Sequence, residues 1–259
     1  MKHQSRKRFG QHFLTDTTVL HNMMQCLNLQ ASDRVVEIGP GQGALTTFLL
    51  SALNHLDAIE LDRDLVLFLQ NHFDQSKLTI HAADALDFSY ATLSKQPSDL
   101  RIVGNLPYNI STPLLFTLFS EINCIRDMHF MLQKEVVLRL TAKVGTTDYN
   151  RLSVMSQYFC ENTYLLTVPP DAFDPPPKVE SAIVRLVPRK QEIISPEEFK
   201  FFSDVVKEAF NYRRKKLSNA LKRFIDAKTL ASIDINPDAR PQDISVSEFI
   251  RISKAVSIQ

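Results

Sequence analysis

The sequence contains little that would form disulfides or bind metal ions. Its three cysteines, Cys26, Cys124 and Cys160, are far apart and include no closely spaced pair, so they predict no disulfide framework. The seven histidines show no spacing typical of a metal-binding motif. We therefore expect free thiols in a reducing compartment, the cytoplasm, and neither a structural nor a catalytic metal.

The sequence also lacks long apolar segments. It contains no run of about 18 apolar residues, which is the length that a membrane-spanning helix needs. The amino terminus, MKHQSRKRFGQHFL, is basic but has no apolar core and no small-residue cleavage site, so we predict no signal peptide. With 259 residues, of which 44% are hydrophobic and 23% charged, the chain has the composition of a globular protein with one sizeable core and a smaller second unit.

The basic residues are concentrated in two places, although the net charge is only +1. The amino terminus includes Lys2, Arg6, Lys7 and Arg8 and no acidic residue. Residues 207–228 contain eight Lys or Arg against two acids, and the rest of the chain is correspondingly acidic. Two basic segments on an acidic body predict a polyanion-binding edge, with solvated surface faces as the alternative.

Short apolar runs alternate with amphipathic stretches through the first two thirds of the chain. The predicted strands are RVVEIG (34–39), LDAIEL (56–61), LTIHAA (78–83), LRIVGN (100–105) and MHFML (128–132). Predicted helices between them include residues 44–53 and 64–73. This alternation is typical of an α/β protein with a parallel sheet that is covered by helices on both faces.

The pattern changes after residue 145. A helix-like segment (149–160) is followed by two further predicted strands, YLLTV (164–168) and SAIVRLV (181–187), which are joined by a proline-rich connection. We interpret these two strands as an antiparallel pair that closes the edge of the sheet.

A second domain is predicted from residue 195 onward. Ser195, Pro196 and Glu198 form the pattern of a helix start, with a serine N-cap, a proline in the first turn and a glutamate that completes a capping box. The segments that follow are apolar at helical spacing. The sequence therefore predicts an α/β domain over residues 1–190 and a small all-α domain over residues 195–259.

A glycine-rich segment, Glu37-Ile38-Gly39-Pro40-Gly41-Gln42-Gly43, follows the first predicted sheet strand directly and opens a helix. Glycine lets the backbone turn tightly and approach a bound molecule closely, so Gly39 and Gly41 are candidate cofactor-binding residues. Gly39, Gly41 and Ala44 also fit a dinucleotide-binding pattern, which leaves a nicotinamide cofactor open at this point. A glycine turn without any ligand is the other alternative.

Two acidic residues at the ends of neighbouring strands favour a nucleoside-containing cofactor. Glu60 ends the second predicted strand, where a carboxylate can accept hydrogen bonds from both ribose hydroxyls. Asp84 follows the third strand, where it can accept from an adenine amino group or, alternatively, cap a helix. Pro40 removes one N–H that a phosphate site could use, which favours S-adenosylmethionine over a dinucleotide.

Asn105-Leu106-Pro107-Tyr108 follows the fourth predicted strand, at the edge where open α/β sheets bind ligands. An exocyclic adenine amine is a poor nucleophile, and two acceptors on its N–H groups would direct its lone pair toward a methyl donor. The Asn105 side-chain oxygen and the Leu106 carbonyl are the candidate acceptors. Pro107 keeps the segment stiff, and the Tyr108 ring offers a face to a flipped-out base.

Phe173 lies between the last two predicted strands, just before Asp174 and three prolines. The prolines stiffen the connection and deny it a regular strand ladder. We expect the Phe173 ring to hold a flipped base against Tyr108. The alternative is a core side chain that packs between the strands.

Taken together, these segments resemble the ribosomal RNA adenine dimethyltransferases, and among them the bacterial small-subunit enzymes associated with kasugamycin resistance. The matching segments are KRFGQHFL (7–14), VVEIGPGQGALT (35–46), IELD (59–62), DAL (84–86), NLPYNIS (105–111), DAFDPPPKVESAIVRL (171–186) and AFNYRRKKLSNAL (209–221). They extend over nearly the whole chain. Their combination is specific, although each segment alone is not.

The resemblance implies a class I S-adenosylmethionine methyltransferase, which is Rossmann-like and has a seven-stranded, mostly parallel sheet. The residues implied to contact the methyl donor are His12, Leu14, Gly39, Glu60, Asp84 and Asn105; position 12 is often Asn in this family. The implied product is N6,N6-dimethyladenosine at two adjacent adenosines near the 3′ end of small-subunit rRNA. The implied substrate is a partly assembled small ribosomal subunit, and the enzyme would act as a monomer with a role in subunit biogenesis.

The resemblance also implies a role for the basic segments, namely contact with rRNA phosphates. The candidate RNA-binding residues are Arg6, Lys7, Arg8, Arg213, Arg214, Lys215, Lys216, Lys222 and Arg223.

Three alternative functions stay open. A large-subunit rRNA adenine methyltransferase of the macrolide-resistance type would share the fold and the chemistry, but NLPY in place of NIPY and the long carboxy-terminal domain disfavour it. A non-catalytic ribosome-assembly protein on the same fold is disfavoured by the intact EIGPGQG and NLPY segments. A nicotinamide oxidoreductase would not need the NLPY segment.

Overall fold

The computed structural model describes residues 12–190 and 195–257. The chain forms two compact units. The first runs to Val137 and resumes over Glu161–Pro188, and the second comprises Leu138–Cys160 and the chain from Arg189 onward. The predicted boundary near residue 190 lies close to one of these divisions. Residues 138–160, however, group with the carboxy-terminal helices instead of the sheet.

Nine strands occur in the described residues. They are β1 (Phe13–Leu14), β2 (Arg34–Ile38), β3 (Leu56–Glu60), β4 (Leu78–Ala82), β5 (Leu100–Asn105), β6 (Ile125–Gln133), β7 (Cys160–Val168), β8 (Phe173–Asp174) and β9 (Ser181–Pro188).

Ten α-helices accompany them over the same part of the chain. They are α1 (Thr17–Leu27), α2 (Ala44–Ala52), α3 (Arg63–His72), α4 (Ser111–Ser120), α5 (Lys134–Thr141), α6 (Arg151–Phe159), α7 (Pro196–Asn211), α8 (Leu217–Ala220), α9 (Ala227–Ser232) and α10 (Val246–Ser257). Within residues 12–190 and 195–257, none of the helices combines the length and the apolar character that crossing a membrane requires.

Seven strands form one sheet in the order β4-β3-β2-β5-β6-β9-β7. The neighbouring pairs from β4 to β6 are parallel, and β9 is antiparallel to β6. The two late strands occupy the last two positions of the sheet. The predictions of an α/β fold and of a mostly parallel, seven-stranded sheet are therefore confirmed.

The parallel strands are apolar because both faces of the sheet are covered. Val35, Val36 and Ile38 of β2 are each 2% exposed or less, and Ile102 and Val103 of β5 are fully buried. The helices contribute apolar side chains to the same core. This burial fixes the strands, and with them the loops at their ends.

The functional segments converge because four neighbouring strands are parallel. Residues 39–43 follow β2, Glu60 ends β3, Asp84 lies just beyond β4, and Asn105 ends β5. Carboxyl ends of parallel strands meet at the same edge of a sheet, where open α/β proteins bind ligands. We refer to this edge as the carboxyl edge.

A buried ion-pair network occupies the opposite, amino edge of the sheet. The Arg101 guanidinium donates to both carboxylate oxygens of Asp127 at 2.9 Å and to Asp33 at 2.8 Å. It also donates to the Leu27 carbonyl at 2.7 Å. Arg126 reaches Asp33 at 3.0 Å from the surface. The network therefore ties the end of α1 to β5 and β6.

The helical unit includes the predicted capping box. The Ser195 hydroxyl accepts from the Glu198 N–H at 3.2 Å, and the Glu198 carboxylate accepts from the Ser195 N–H at 2.9 Å. These two bonds satisfy N–H groups that have no partner inside α7. They also lower the pKa of the Glu198 carboxyl.

Residues 138–160 belong to the helical unit because they bond to its carboxy-terminal part. Tyr149 is fully buried, and its hydroxyl donates to the Ile244 carbonyl at 3.0 Å. The Gly145 N–H donates to the Gln242 carbonyl at 2.8 Å. These partners lie about a hundred residues away in sequence, which is why apolar patterning did not reveal the grouping.

Candidate active site

The loop between β2 and α2 depends on its glycines. Gly39, Gly41 and Gly43 all have positive φ angles, of 66°, 57° and 80°, which other residues adopt only with strain. A Cβ on Gly43 would in addition lie 2.5 Å from the Phe73 ring. The turn therefore keeps its shape only with glycine at this position.

A cavity of about 470 Å³ opens beside this loop at the carboxyl edge. Its volume is within the range of small-molecule sites, roughly 300–1,000 Å³. The predicted site residues that line it are His12, Leu14, Gly39, Gly41, Glu60, Asn105, Leu106, Pro107 and Tyr108. The structure thus brings most of the predicted cofactor-binding and catalytic residues together.

Glu60 is a buried carboxylate in the cavity wall, 7% exposed. Its Oε2 accepts from the Gly41 N–H at 3.2 Å, and its Oε1 accepts from the Asp62 N–H at 2.9 Å. Burial raises the pKa of Glu60 despite these two donors. Each carboxylate oxygen has a second lone pair, so Glu60 can brace the glycine loop and still accept from ribose hydroxyls.

Glu37 is a second buried acid in the cavity wall, and the sequence analysis did not single it out. It is 2% exposed, and its Oε2 accepts from the Thr46 hydroxyl at 2.7 Å. Burial raises the pKa of Glu37 to about 8, and the nearby Glu60 adds to the shift. Among the described residues, neither acid forms an ion pair with Lys or Arg. The available signal was a lone acid inside an apolar strand, RVVEI.

Two buried carboxylates without a cationic partner fit a cationic ligand. S-adenosylmethionine has a cationic sulfonium, an ammonium group and two ribose hydroxyls. A dinucleotide would instead bring a negative pyrophosphate toward Glu37 and Glu60. The residues present therefore fit the methyl donor and disfavour the nicotinamide alternative. Within residues 12–190 and 195–257, no group of three or more His, Cys, Asp or Glu could hold a metal ion.

The amino-terminal segment forms another wall of the cavity. β1 pairs antiparallel with β8, which places Leu14 opposite Phe173. The His12 ring donates through Nδ1 to the Pro175 carbonyl at 2.7 Å. The His12 carbonyl accepts from Asn105 Nδ2 at 3.1 Å. The main chain of this segment is therefore bonded to Asn105, the first residue of the candidate catalytic segment Asn105-Leu106-Pro107-Tyr108.

The Asn105 side chain has a defined orientation. Its amide nitrogen is engaged by the His12 carbonyl, which leaves the amide oxygen Oδ1 as an acceptor at the cavity. The Leu106 N–H donates to the Met131 carbonyl at 3.1 Å, which fixes the main chain beside the Leu106 carbonyl. The two acceptors that the sequence analysis assigned to the adenine amine are thus both on a constrained segment.

Gly104 lets β5 approach β2 closely. A Cβ at this position would lie 2.5 Å from the Ile38 carbonyl oxygen, and backbone atoms cannot give way as the end of a side chain can. Any larger residue would push the end of β5, and therefore Asn105, away from the glycine loop. Sequence analysis did not identify Gly104, since it lies inside an ordinary strand pattern.

Tyr108 lines the cavity with its ring half-buried. The His12 ring lies near it, at 5.9 Å between ring centroids and tilted by 30°. The Tyr108 hydroxyl is within 2.8 Å of the Ser181 hydroxyl. Burial raises the pKa of Tyr108, so its hydroxyl stays protonated at neutral pH.

Phe173 lies in the core, which corrects the expectation that its ring faces a base beside Tyr108. It is 3% exposed and packs in the same cluster as Leu14, Val168 and Ile183. It does not line the cavity. The short β1–β8 ladder turns the ring inward, and this favours the core alternative that the sequence left open.

Asp84 does not line the cavity either. Its Oδ1 accepts from the Leu86 N–H at 2.9 Å, which is the turn-forming bond typical of Asp after a strand. The neighbouring Ala83 N–H donates to the Glu60 carbonyl at 3.1 Å. Asp84 is therefore adjacent to the Glu60 strand end, and its contact with an adenine remains a prediction.

Four of the six predicted RNA-binding residues of the helical unit lie in the turn between α7 and α8. Arg213 is not free, because its guanidinium donates to the Gln242 side chain at 3.2 Å and to the Thr147 carbonyl. Arg214, Lys215, Lys216, Lys222 and Arg223 are exposed. Lys215 lies over the Tyr212 ring and Lys216 pairs with Asp238. Arg6, Lys7 and Arg8 lie outside the described residues.

Comparison with known sequences gives a family match over nearly the whole chain. Residues 2–257 match the model of the ribosomal RNA adenine dimethylase family. The chain is 56% identical over 253 residues to a ribosomal RNA small subunit methyltransferase A of Coxiella burnetii, covering 97% of this chain and 98% of that relative. It is 46% identical over 259 residues to the protein of the same name from Pseudomonas putida, covering 100% and 97%.

Solved structures show the same fold. A dimethyladenosine transferase from Plasmodium falciparum superposes with a TM-score of 0.79 at 25% identity, covering 93% of this chain and 96% of that one. The 23S rRNA methyltransferase ErmE superposes with a TM-score of 0.71 at 23% identity, covering 95% and 99%. The second similarity is one of fold alone.

Proposed function

The chain belongs to the ribosomal RNA adenine dimethylase family, and we propose that it uses the cavity at the carboxyl edge to methylate adenine N6 in small-subunit ribosomal RNA. The methyl donor is S-adenosylmethionine, and the product is N6,N6-dimethyladenosine. Two adjacent adenosines near the 3′ end of that RNA are the targets.

The orientation of Asn105 is the observation that carries this proposal. A cavity with buried acids would suit many methyltransferases. An amide oxygen held at that cavity, next to a second fixed carbonyl, suits a planar amine with two N–H groups. The adenine amino group is such an amine.

When bound, S-adenosylmethionine supplies an electrophilic methyl group on a cationic sulfur. Glu60 would accept from ribose hydroxyls, and Glu37 would place negative charge near the cation once the binding of the cation has released the Glu37 proton. In the first transfer, Asn105 Oδ1 and the Leu106 carbonyl would each accept one N–H of the adenine amine, which directs its lone pair toward the methyl group. The monomethylated amine retains one N–H, which one of the two acceptors would engage in the second transfer. No general base is required, since the methylated ammonium is itself acidic. The Tyr108 ring stacks on the flipped base.

The test is methylation of unmethylated small subunits with labelled S-adenosylmethionine, followed by digestion of the RNA to nucleosides. We expect labelled dimethyladenosine, and a single-turnover rate that is lower by on the order of a hundredfold in Asn105→Ala. Asn71→Ala, an exposed asparagine of α3, is the matched control. Label only in large-subunit RNA would refute the proposed substrate, and a near-normal rate in Asn105→Ala would refute the mechanism.

We assign phosphate contact to the exposed basic residues of the helical unit. Arg213 is instead a brace, because two of its five N–H donors are already engaged by Gln242 and Thr147. The assigned residues are Arg214, Lys215, Lys216, Lys222 and Arg223. They would add a salt-dependent, sequence-independent affinity for RNA. The basic amino terminus would act in the same way.

Replacing Arg214, Lys215 and Lys216 together with alanine should weaken binding to small subunits. The log–log slope of affinity against salt should become shallower by up to ~0.9 for each phosphate that the variant no longer neutralises. The matched control replaces Arg63, Lys77 and Lys95, three exposed basic residues of the sheet unit. An unchanged slope in the first variant would show that the turn is only a solvated surface.

We further propose that the RNA is presented in a partly assembled small subunit in the cytoplasm and that the chain acts as a monomer. In this proposal the sheet unit binds the cofactor and the helical unit binds the partly assembled small subunit. Comparing methylation of naked RNA, partly assembled particles and mature subunits tests the substrate, and sedimentation of the active enzyme tests the monomer.

A further inference from the structure

Ser181 lies behind the catalytic tyrosine. The Tyr108 hydroxyl and the Ser181 Oγ are 2.8 Å apart and share a hydrogen bond. Ser181 is fully buried and begins β9, where it pairs with Gln133 of β6. The chain beside it is held as well, because the Lys134 N–H donates to the Glu180 carbonyl at 3.0 Å. A hydroxyl on a rigid strand therefore contacts a ring that is carried by a loop.

The loop itself restrains the main chain of Tyr108 and not its ring. The Ser111 hydroxyl donates to the Tyr108 carbonyl at 3.1 Å, and the Ile110 N–H donates to the Pro107 carbonyl at 3.2 Å. Neither bond limits rotation about the side-chain torsions of Tyr108. The bond to Ser181 does so in two ways. It holds the hydroxyl at the far end of the ring, which limits the first torsion, and because a phenol oxygen forms hydrogen bonds near the plane of its ring, the direction of the bond also favours one ring plane.

Tyr108 could act on a flipped base with its ring face or with its hydroxyl. The hydroxyl is engaged with Ser181 at the start of β9, and burial raises its pKa, so it is unsuited to accept a proton at neutral pH. The ring face is left to contact the base. The hydroxyl is therefore an anchor for the ring.

Building on the proposed function, we propose that Ser181 is a positioning residue for methyl transfer, which fixes the plane of the Tyr108 ring on which the adenine stacks beside Asn105. A ring that is ordered before the RNA arrives does not have to be ordered during binding. The benefit should appear in the rate of methyl transfer, because the base must be aligned with the methyl group during that step. Cofactor affinity does not depend on it, since the cofactor does not require the ring plane.

The test is a double-mutant cycle with Ser181→Ala, Tyr108→Phe and the double variant. Single-turnover methylation is measured at saturating S-adenosylmethionine and small subunits. Each single change removes the same hydrogen bond and should slow transfer by roughly three- to tenfold, and the double variant should be no slower than either single one. Cofactor affinity by calorimetry should stay unchanged.

The matched control is Ser253→Ala, which removes another buried serine hydroxyl. Ser253 is 1% exposed and donates only to a main-chain carbonyl, that of Ile250, at 2.8 Å. Its replacement should leave the transfer rate of the folded enzyme unchanged. Should Ser181→Ala fail to fold, Ser181→Cys keeps a similar shape with a much weaker hydrogen-bonding group and takes its place in the cycle.

Three results would overturn the proposal. Losses that multiply in the double variant would mean that the two hydroxyls act separately. A slow transfer rate in Tyr108→Phe together with a normal rate in Ser181→Ala would mean that the tyrosine hydroxyl contacts the substrate itself. A lower melting temperature in Ser181→Ala with a normal rate would make the serine merely structural. Absence of dimethyladenosine with the wild-type enzyme would instead refute the proposed function.

Discussion

At the amino edge of the sheet, Asp33 and Asp127 are buried against Arg101, whereas at the carboxyl edge Glu37 and Glu60 are buried with no Lys or Arg partner among the described residues. Bonds from the Gln30 N–H and from Arg101 lower the pKa of Asp33 although burial opposes them. Burial raises the pKa of both glutamates.

The difference separates two uses of buried charge within one sheet. A compensated network is complete without a ligand, and removing one of its partners is costly because a buried charge is then left uncompensated. An uncompensated pair is costly in the free protein, and a cation from outside relieves that cost. The carboxyl edge is therefore the candidate site on charge alone, because its cavity wall contains the two uncompensated acids.

The largest effect is expected from breaking the compensated edge. Arg101→Met should lower the free energy of unfolding by about 3–5 kcal/mol, because it leaves the buried Asp127 carboxylate without its arginine partner and leaves Asp33 with the exposed Arg126 alone among the described arginines. Arg126→Met is the matched control: it removes a cation from the same Asp33, but its side chain is 54% exposed, so we expect about 0–1 kcal/mol. Urea denaturation measures both. Equal losses in the two variants would show that burial does not set the strength of this network.

Replacing Phe173 tests whether its ring belongs to the core or to the cavity. Phe173→Ala should lower the free energy of unfolding by ~3–5 kcal/mol, as for other buried phenylalanines. Below its melting temperature the variant should still methylate RNA. Melting and methylation are measured on the same preparation. Unchanged stability together with abolished methylation would restore the role in stacking on the base.

Replacing Glu60 tests the carboxyl edge, where the buried acids have no Lys or Arg partner among the described residues. Glu60→Ala should weaken S-adenosylmethionine binding by roughly 1.5–3 kcal/mol, the scale of hydrogen bonds to charged groups. Calorimetry below the melting temperature measures the affinity, and circular dichroism confirms the fold. Because Glu60 also accepts from Gly41 and Asp62, Glu60→Gln serves as the control that keeps the shape. Unchanged affinity in a folded Glu60→Ala would remove Glu60 from the cofactor site.

Glu37 gives the smallest effect for a change of one pH unit, because its effect is spread over the range between its ordinary and its raised pKa. Its pKa is about 8 in the folded chain against an ordinary 4.5, so the folded state favours the protonated form. The contribution of Glu37 to stability is therefore fully present below pH 4.5 and is lost as the pH rises toward 8, with a slope of at most about 1.4 kcal/mol per pH unit.

A cationic cofactor should favour the ionised form of Glu37. Binding below pH 8 should therefore release a proton, and affinity should rise as the pH approaches 8. Calorimetry in buffers of different ionisation enthalpy counts the protons, and Glu37→Gln should remove this part of the pH dependence. A proton count that is the same in Glu37→Gln would assign the titration to another group.

The sequence predicted those parts of the fold that depend on local pattern. Strands β2 to β5 are short apolar runs, and the capping box at Ser195 is complete within four residues. Both can therefore be predicted without any knowledge of tertiary contacts. The converging loops of the site followed from strand direction alone. For the same reason Glu60 and Asn105 were correctly placed at one edge.

The rest depended on partners that are far away in sequence. Phe173 is buried because β8 pairs with Leu14 near the amino terminus, and no local pattern reveals that pairing. Arg213 is engaged because Thr147 and Gln242 come close to it. Glu37 was visible as an acid in an apolar strand, but its lack of a cationic partner is a property of the folded neighbourhood.

The bond between Asn105 and the carbonyl of residue 12 has a consequence for how this enzyme can vary. Every amino acid supplies a main-chain carbonyl, so the Asn105 amide is oriented by the path of the chain and not by the identity of residue 12. Histidine and asparagine at position 12 should therefore orient Asn105 equally well. A saturation library at position 12 should accordingly retain turnover across most substitutions, whereas shortening the segment by one residue should abolish it.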